Sequence, residues 1–281
     1  VNNSGPTSTL PQTGQPSGWL KQAINSPWFL PLLFGVAGML IWELGLWLIN
    51  PDGFVLPRPS EIISVLSQQD RGVDSTIFES IFEASRTTGF IILSSLVVGV
   101  ALGAAAALIT TRFRATNDVI TPLAVAINAI PIVALAPIFN NWLGLTSPRS
   151  NQAVVVLIVF LPVFINTARG LNTVDPNKIE LMHSLASKPW TIILRVRIPS
   201  ALPFFFTALK LVSSLCVVGA IVVEYFGGSQ SSLGSKIVTY AGFTQYDAAW
   251  AAVLAGSLIG IALYALVAVV ERLATPWAHR T

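Results

Sequence analysis

The chain has 281 residues, of which 53% are hydrophobic and only 10% charged, and its mean hydropathy is +0.69. A soluble domain carries about 25% charged residues, so a water-soluble globular enzyme is close to excluded. A formal charge of +3, from 16 basic and 13 acidic residues, is too weak and dispersed for nucleic-acid binding. One cysteine, Cys216, and two histidines leave no intrachain disulfide and no conventional His/Cys metal cluster.

Residues 1–18 contain no charge and are rich in Ser, Thr, Pro, Gly, Asn and Gln. They are expected to form a disordered tail, and they lack the basic start and apolar core of a signal peptide. The rest, 19–281, reads as one membrane domain. A helix needs about 20 mostly apolar residues to cross the hydrocarbon core, and six segments qualify, which predicts an all-α integral membrane protein. Span one covers about 28–49 and is interrupted only by Glu43. The acidic stretch that follows places Ile62, Ile63 and Leu66, then Ile77, Ile81 and Phe82, at helical spacing, predicting short amphipathic helices on the membrane surface.

Span two, about 88–111, is uncharged and carries Gly99, Gly103, Ala104 and Ala107, small residues that allow close helix packing. Span three, about 119–143, contains Pro122, Pro131 and Pro137, and span four, about 152–168, contains Pro162. Span five, about 201–226, holds Lys210 and Glu224, and span six is about 248–270. Between them, Gly228 to Lys236 invites a phosphate-loop reading. Ser235 separates Gly234 from Lys236, however, and Ile237 stands where Ser or Thr is needed, so a flexible outer loop is expected there.

Six spans put both termini on one side. Eleven of the 16 Lys and Arg residues fall on that side's loops, which makes it cytoplasmic by the positive-inside rule. The longest loop there, 169–200, is patterned. Asp175 followed by Pro176 reads as an N-cap with Pro at the first helical position. Ile179, Met182, Leu185 and Ala186 then make one apolar face. Ser187, Lys188 and Pro189 interrupt that helix and start another, which Trp190, Ile193, Leu194 and Val196 continue until Pro199 is expected to stop it. An apolar face on a water-exposed elbow wants a partner, the alternative being an interfacial helix lying on the lipid.

At this point the residues resemble a known family. The stretch Glu180-Leu181-Met182 through Trp190, ending Arg195-Val196-Arg197-Ile198-Pro199 and Leu202-Pro203, resembles the EAA cytoplasmic loop of bacterial ABC-importer permeases. More narrowly, the chain is similar to the nitrate/sulfonate/taurine branch. Leu56-Pro57-Arg58-Pro59-Ser60, Ile130-Pro131 through Ala136-Pro137, Phe160-Leu161-Pro162 through Asn166-Thr167, and Ser232-Leu233-Gly234 follow that branch's motifs in order, and Ser85 to Phe90 does so loosely. Leu181 and Met182 replace the two alanines, and Ala186 stands where the elbow Gly is usual. Ala in a left-handed conformation would be strained, so the turn is expected nearer Ser187 and Lys188.

The resemblance implies a six-helix type I ABC-importer permease fold with a cytoplasmic coupling helix, in the inner (plasma) membrane of a bacterium. The chain would be a transport subunit and not an enzyme, without a cofactor of its own. ATP and Mg would sit on separate ATPase subunits docked at the loop. A second permease, identical or a sister, and an outer substrate-binding protein would complete the importer. The substrate would be a small anion of the nitrate, sulfonate, taurine or bicarbonate kind, or a small heteroaromatic vitamin precursor. The coupling set is Glu180, orienting the loop; Leu181, Met182 and Leu185, with Met182 and Leu185 as the apolar knob; and Ala186 and Trp190.

A charge at the bilayer centre costs roughly 2.5–3.5 kcal/mol on insertion scales, so it faces protein or water. Pathway candidates are therefore Glu224 and Lys210, with uncharged Asn128, Asn166 and Ser213. The competing reading is snorkelling from the span's outer end for Glu224, a helix–helix ion pair or snorkelling for Lys210, and interhelical hydrogen bonding for the uncharged residues. A secondary transporter or channel needing no ATPase is the alternative function. It predicts repeated halves, and none is visible in the sequence.

Overall fold

Most of the described residues are helical in the computed structural model, which describes residues 29–49, 56–111, 126, 130–144, 147–227, 229 and 231–277. The tail at 1–18 and the first part of predicted span three, Asn128 included, lie outside the described residues. The chain divides at Glu61 and Ile62 into two units. The first holds α1, Phe29–Ile49, where span one was expected. In the same unit the Glu43 carboxylate accepts hydrogen bonds from the Ser60 hydroxyl (2.7 Å) and backbone N–H (3.2 Å), at the start of the short helix α2, Pro59–Val65.

The second unit begins with the rest of α2, from Ile62, followed by a turn closed by the Asp70 N–H on the Ser75 carbonyl (2.9 Å). It leads into α3, Ile77–Thr110, whose start is fixed by a capping box between Thr76 and Glu79. This corrects the expectation of a separate surface helix over Ile77 to Phe82: nothing between Phe82 and Thr88 breaks the helix, so both stretches are one rod. A 3₁₀ turn, Ile132–Leu135, leads into α4, Ala136–Leu143. Next comes α5, Pro148–Asn172, which continues through Pro162.

The elbow comprises α6, Pro176–Ser184, and the single turn α7, Pro189–Ile192. A π-helical turn, Ile193–Arg197, then joins α7 to α8, Ile198–Phe226. Pro199 therefore does not stop the helix. It sits in the first turn of α8, where a missing N–H costs least, and the wider turn before it carries the chain through. After α8 come α9, Leu233–Gly242, and α10, Tyr246–Ala274. Part of the predicted outer loop is thus an ordered helix, with Leu233 and Gly234 buried.

Four helical segments are long and apolar enough to cross a membrane: Ile77–Thr110, Pro148–Asn172, Pro189–Phe226 and Tyr246–Ala274. Two shorter apolar stretches, Leu33–Ile49 and Ile132–Leu143, stand where spans one and three were expected. The core forms where α3, α5 and α8 meet, from Ile92, Leu96, Val155, Val159, Val163, Val212 and Val217, with Leu263 of α10 at its side. A Cβ at Gly99 would lie 2.7 Å from the Val159 Cβ, and one at Gly103 would lie 2.9 Å from the Phe160 carbonyl oxygen. The small-residue stripe is the contact face between α3 and α5, as its spacing predicted.

Candidate functional site

The elbow is built as the sequence requires, with one exception. Asp175 caps α6 by accepting the Asn177 N–H (2.9 Å), and Pro176 occupies the first turn. At the other end Ala186 adopts φ 51. Its N–H reaches the His183 carbonyl (2.9 Å) and the Ser187 N–H reaches the Met182 carbonyl (3.0 Å). This is the Schellman closure that normally uses glycine. The turn therefore falls on Ala186, against the expectation of a turn at Ser187 and Lys188. Two carbonyl partners at the helix end favour the left-handed residue there over a later, unbonded turn.

The elbow leaves apolar groups bare. Leu181 is 61% exposed, Leu185 67% and Trp190 69%. Glu180 is also exposed, whereas Met182 is half-buried. Of the predicted knob, Leu185 projects outward together with Leu181, and Met182 is partly turned into the protein.

The intramembrane polar residues separate into different environments. Lys210 Nζ lies 2.8 Å from Glu271 Oε2, joining α8 to α10. Ser213 is buried and donates to the Lys210 carbonyl (2.7 Å). Asn166 donates to the Pro162 carbonyl of its own helix (2.8 Å).

Glu224 is 1% exposed. Its Oε2 accepts from Thr88 Oγ1 and from the Gly234 N–H, each at 3.0 Å. The Leu233 N–H donates to the same Thr88 oxygen (3.0 Å), and Ser232 Oγ receives the Ser235 N–H (3.5 Å). The free N–H groups opening α9, which a helix cannot satisfy internally, are thus met from α3, α8 and its own N-cap. Oε1 of Glu224 is buried without a hydrogen-bond partner among the described residues. Among the described residues, Glu224, Lys210, Asn166 and Ser213 each have a different set of partners.

Sequence reasoning missed a largely buried polar cluster in the second unit. Asp70, 5% exposed, accepts from Lys236 Nζ (3.0 Å) and from the Tyr240 hydroxyl (3.1 Å). The Lys236 ammonium also lies 5.5 Å from the centre of the Tyr240 ring. Burial alone would raise the Asp70 carboxyl. Hydrogen bonds from Ser80, Lys236 and Tyr240, with the Lys236 charge, outweigh it and hold the group below its ordinary value. Burial, followed by the Asp70 charge, pushes the Tyr240 phenol up. These residues stand 166 and 170 positions apart, and no periodicity links them.

Residues 99–277 match the family described as binding-protein-dependent transport system inner membrane component. The chain is 32% identical over 253 residues to the formylaminopyrimidine transport permease protein ThiX of Halalkalibacterium halodurans, covering 89% of this chain and 96% of that one. It is 31% identical over 166 residues to the riboflavin transport system permease protein RibX of Chloroflexus aurantiacus, covering 59% of this chain and 61% of that one. Among solved structures, a bacterial ABC transporter involved in the import of the acidic polysaccharide alginate superposes with a TM-score of 0.58 at 15% identity, covering 90% of this chain and 95% of that one. The shared fold and the match over most of the sequence agree: this chain belongs to the binding-protein-dependent inner-membrane components, the permease subunits of ABC importers.

Proposed function

We propose that this permease carries a small heteroaromatic solute inward, driven by ATPase subunits that grip the elbow between α5 and α8. The exposed pair Leu181 and Leu185 carries the reading, because two bare leucines on a capped, rigid helix have no use in water. The excess of Lys and Arg on the loops of this side supports a cytoplasmic elbow and cytoplasmic termini. ATP and Mg are held by the partner chains, whose closure pushes α6. The motion passes through the elbow to α5 and to the continuous helix beginning at Pro189. Glu180 orients the loop, Leu181 and Leu185 fill the partner's groove, Met182 packs beneath them, and Ala186 sets the angle. A second permease copy or sister completes the pathway, and an outer binding protein delivers the solute. The similarity to a formylaminopyrimidine permease supports the heteroaromatic class over the small anions, and the absence of a basic ring within the spans agrees with it.

Deleting 181–186 is expected to abolish copurification of the ATPase while leaving the chain in the membrane fraction at the wild-type level. Retained association together with ATP-driven uptake would refute the docking assignment. Uptake of labelled sulfonate in preference to a labelled aminopyrimidine, by the assembled importer, would refute the substrate class.

A further inference from the structure

A groove of about 880 Å³ lies between the last turn of α3 and the segment 188–198. Its apolar wall includes Leu108 and Ile109 of α3 and Ile193 and Leu194 beyond the elbow. Among the described residues its polar lining is Thr111, His183, Lys188 and Arg197, with no carboxylate. Neither Lys188 nor Arg197 has a carboxylate within ion-pair distance among the described residues. Trp190, which the resemblance counts in the coupling set, lines this groove and is largely exposed, on the side away from Leu181 and Leu185.

The position fixes the kind of occupant. Leu108 and Ile109 close a helix long and apolar enough to span the membrane, so the groove opens where hydrocarbon gives way to headgroups. Apolar walls at that depth, an interfacial Trp and a rim of Lys and Arg suit a molecule with an acyl chain and a negative headgroup. The face is also not the elbow's leucine pair. On α6, Ile179 and His183 turn toward the groove, whereas Leu181 and Leu185 stand about 200° around the helix from them at 3.6 residues per turn. The two surfaces are on opposite sides of one short helix.

We propose that this groove binds one anionic phospholipid, its phosphate held by Lys188 and Arg197 and its chain against Leu108, Ile109 and Leu194. The site does not depend on the transported solute or on which partner grips Leu181 and Leu185.

The test uses the purified full-length chain in detergent, with phosphatidylglycerol or phosphatidylcholine added and bound lipid counted by native mass spectrometry. Wild type is expected to retain phosphatidylglycerol in preference. The K188Q/R197Q double variant should lose that preference by roughly tenfold or more, given about 1 kcal/mol per basic residue near an anionic surface. R195Q, which removes an exposed charge outside the groove lining, should keep it. Equal retention of the two lipids by wild type, or an equal loss in R195Q, would overturn the proposal. So would displacement of the lipid by added ATPase subunit, which would make the groove a partner surface. Should the double variant fold poorly, a photoactivatable phosphatidylglycerol on wild type decides. Crosslinks are expected on peptides containing 108–111 and 188–198, and crosslinks confined to other segments refute the site.

Discussion

Ala186 holds a left-handed backbone at φ 51, which costs a residue with a Cβ roughly 1–2 kcal/mol relative to the right-handed form. Glycine pays less there but loses more chain entropy on folding. Ala186→Gly is therefore expected to stabilise the elbow by about 1 kcal/mol, about a fivefold change in the open population. Limited proteolysis between α6 and α7 should slow accordingly, and faster cutting would show that the turn lies elsewhere. Asp70 gives a second prediction. Its folded value lies below the ordinary 3.8, so its contribution is fully present above that ordinary value and is lost as pH falls through the lowered one. Asp70→Asn should cost roughly 1–3 kcal/mol at neutral pH, and its melting difference from wild type should shrink as the pH drops below 3.8. A difference that stays constant down to strong acid would contradict the charged hydrogen-bond network with Lys236 and Tyr240.

Between elements, close approach is the controlling variable. The α3–α5 contact exists because Gly99 and Gly103 admit Val159 and Val163 where a Cβ would collide. In lipid there is little hydrophobic drive between helices, so this steric fit carries much of the association. Gly99→Leu is expected to destabilise the packed protein by roughly 1–3 kcal/mol through overpacking, read as a lower unfolding midpoint in a denaturing-detergent titration. The same substitution at Gly89, where nothing lies within 4 Å of the added Cβ, should change little. Helix α9 is held differently. Glu224 and Thr88 meet its first N–H groups, while Asp70 ties its Lys236 and Tyr240 side chains. The last four residues of the expected loop, 233–236, thereby belong to an ordered helix fastened at two places.

At the scale of the molecule, the chain is a membrane subunit that holds no nucleotide-binding motif of its own. In vesicles containing the permease alone, solute flux is expected to stay at the background leak, and flux should appear only with the ATPase, ATP and the binding protein present. Robust concentrative uptake by the lone permease would point instead to a secondary transporter.

Much of this was legible because it depends on local physical chemistry. Long uncharged runs demand a membrane, Asp175 with Pro176 starts a helix whatever surrounds it, and glycines spaced four apart form a face on any helix. The ordered family motifs added the class of transporter. Distant pairings were not legible. That Glu224 would meet Thr88 across 136 positions, that Lys210 would find Glu271, and that Lys236 would be drawn from an apparent loop onto Asp70 were decided by how the helices stack, and a buried charge takes the partner that packing brings within reach. The same reason separates the two faces of α6: apolar periodicity marked the helix as amphipathic, but only the packed elbow settled which residues face the groove and which stand bare.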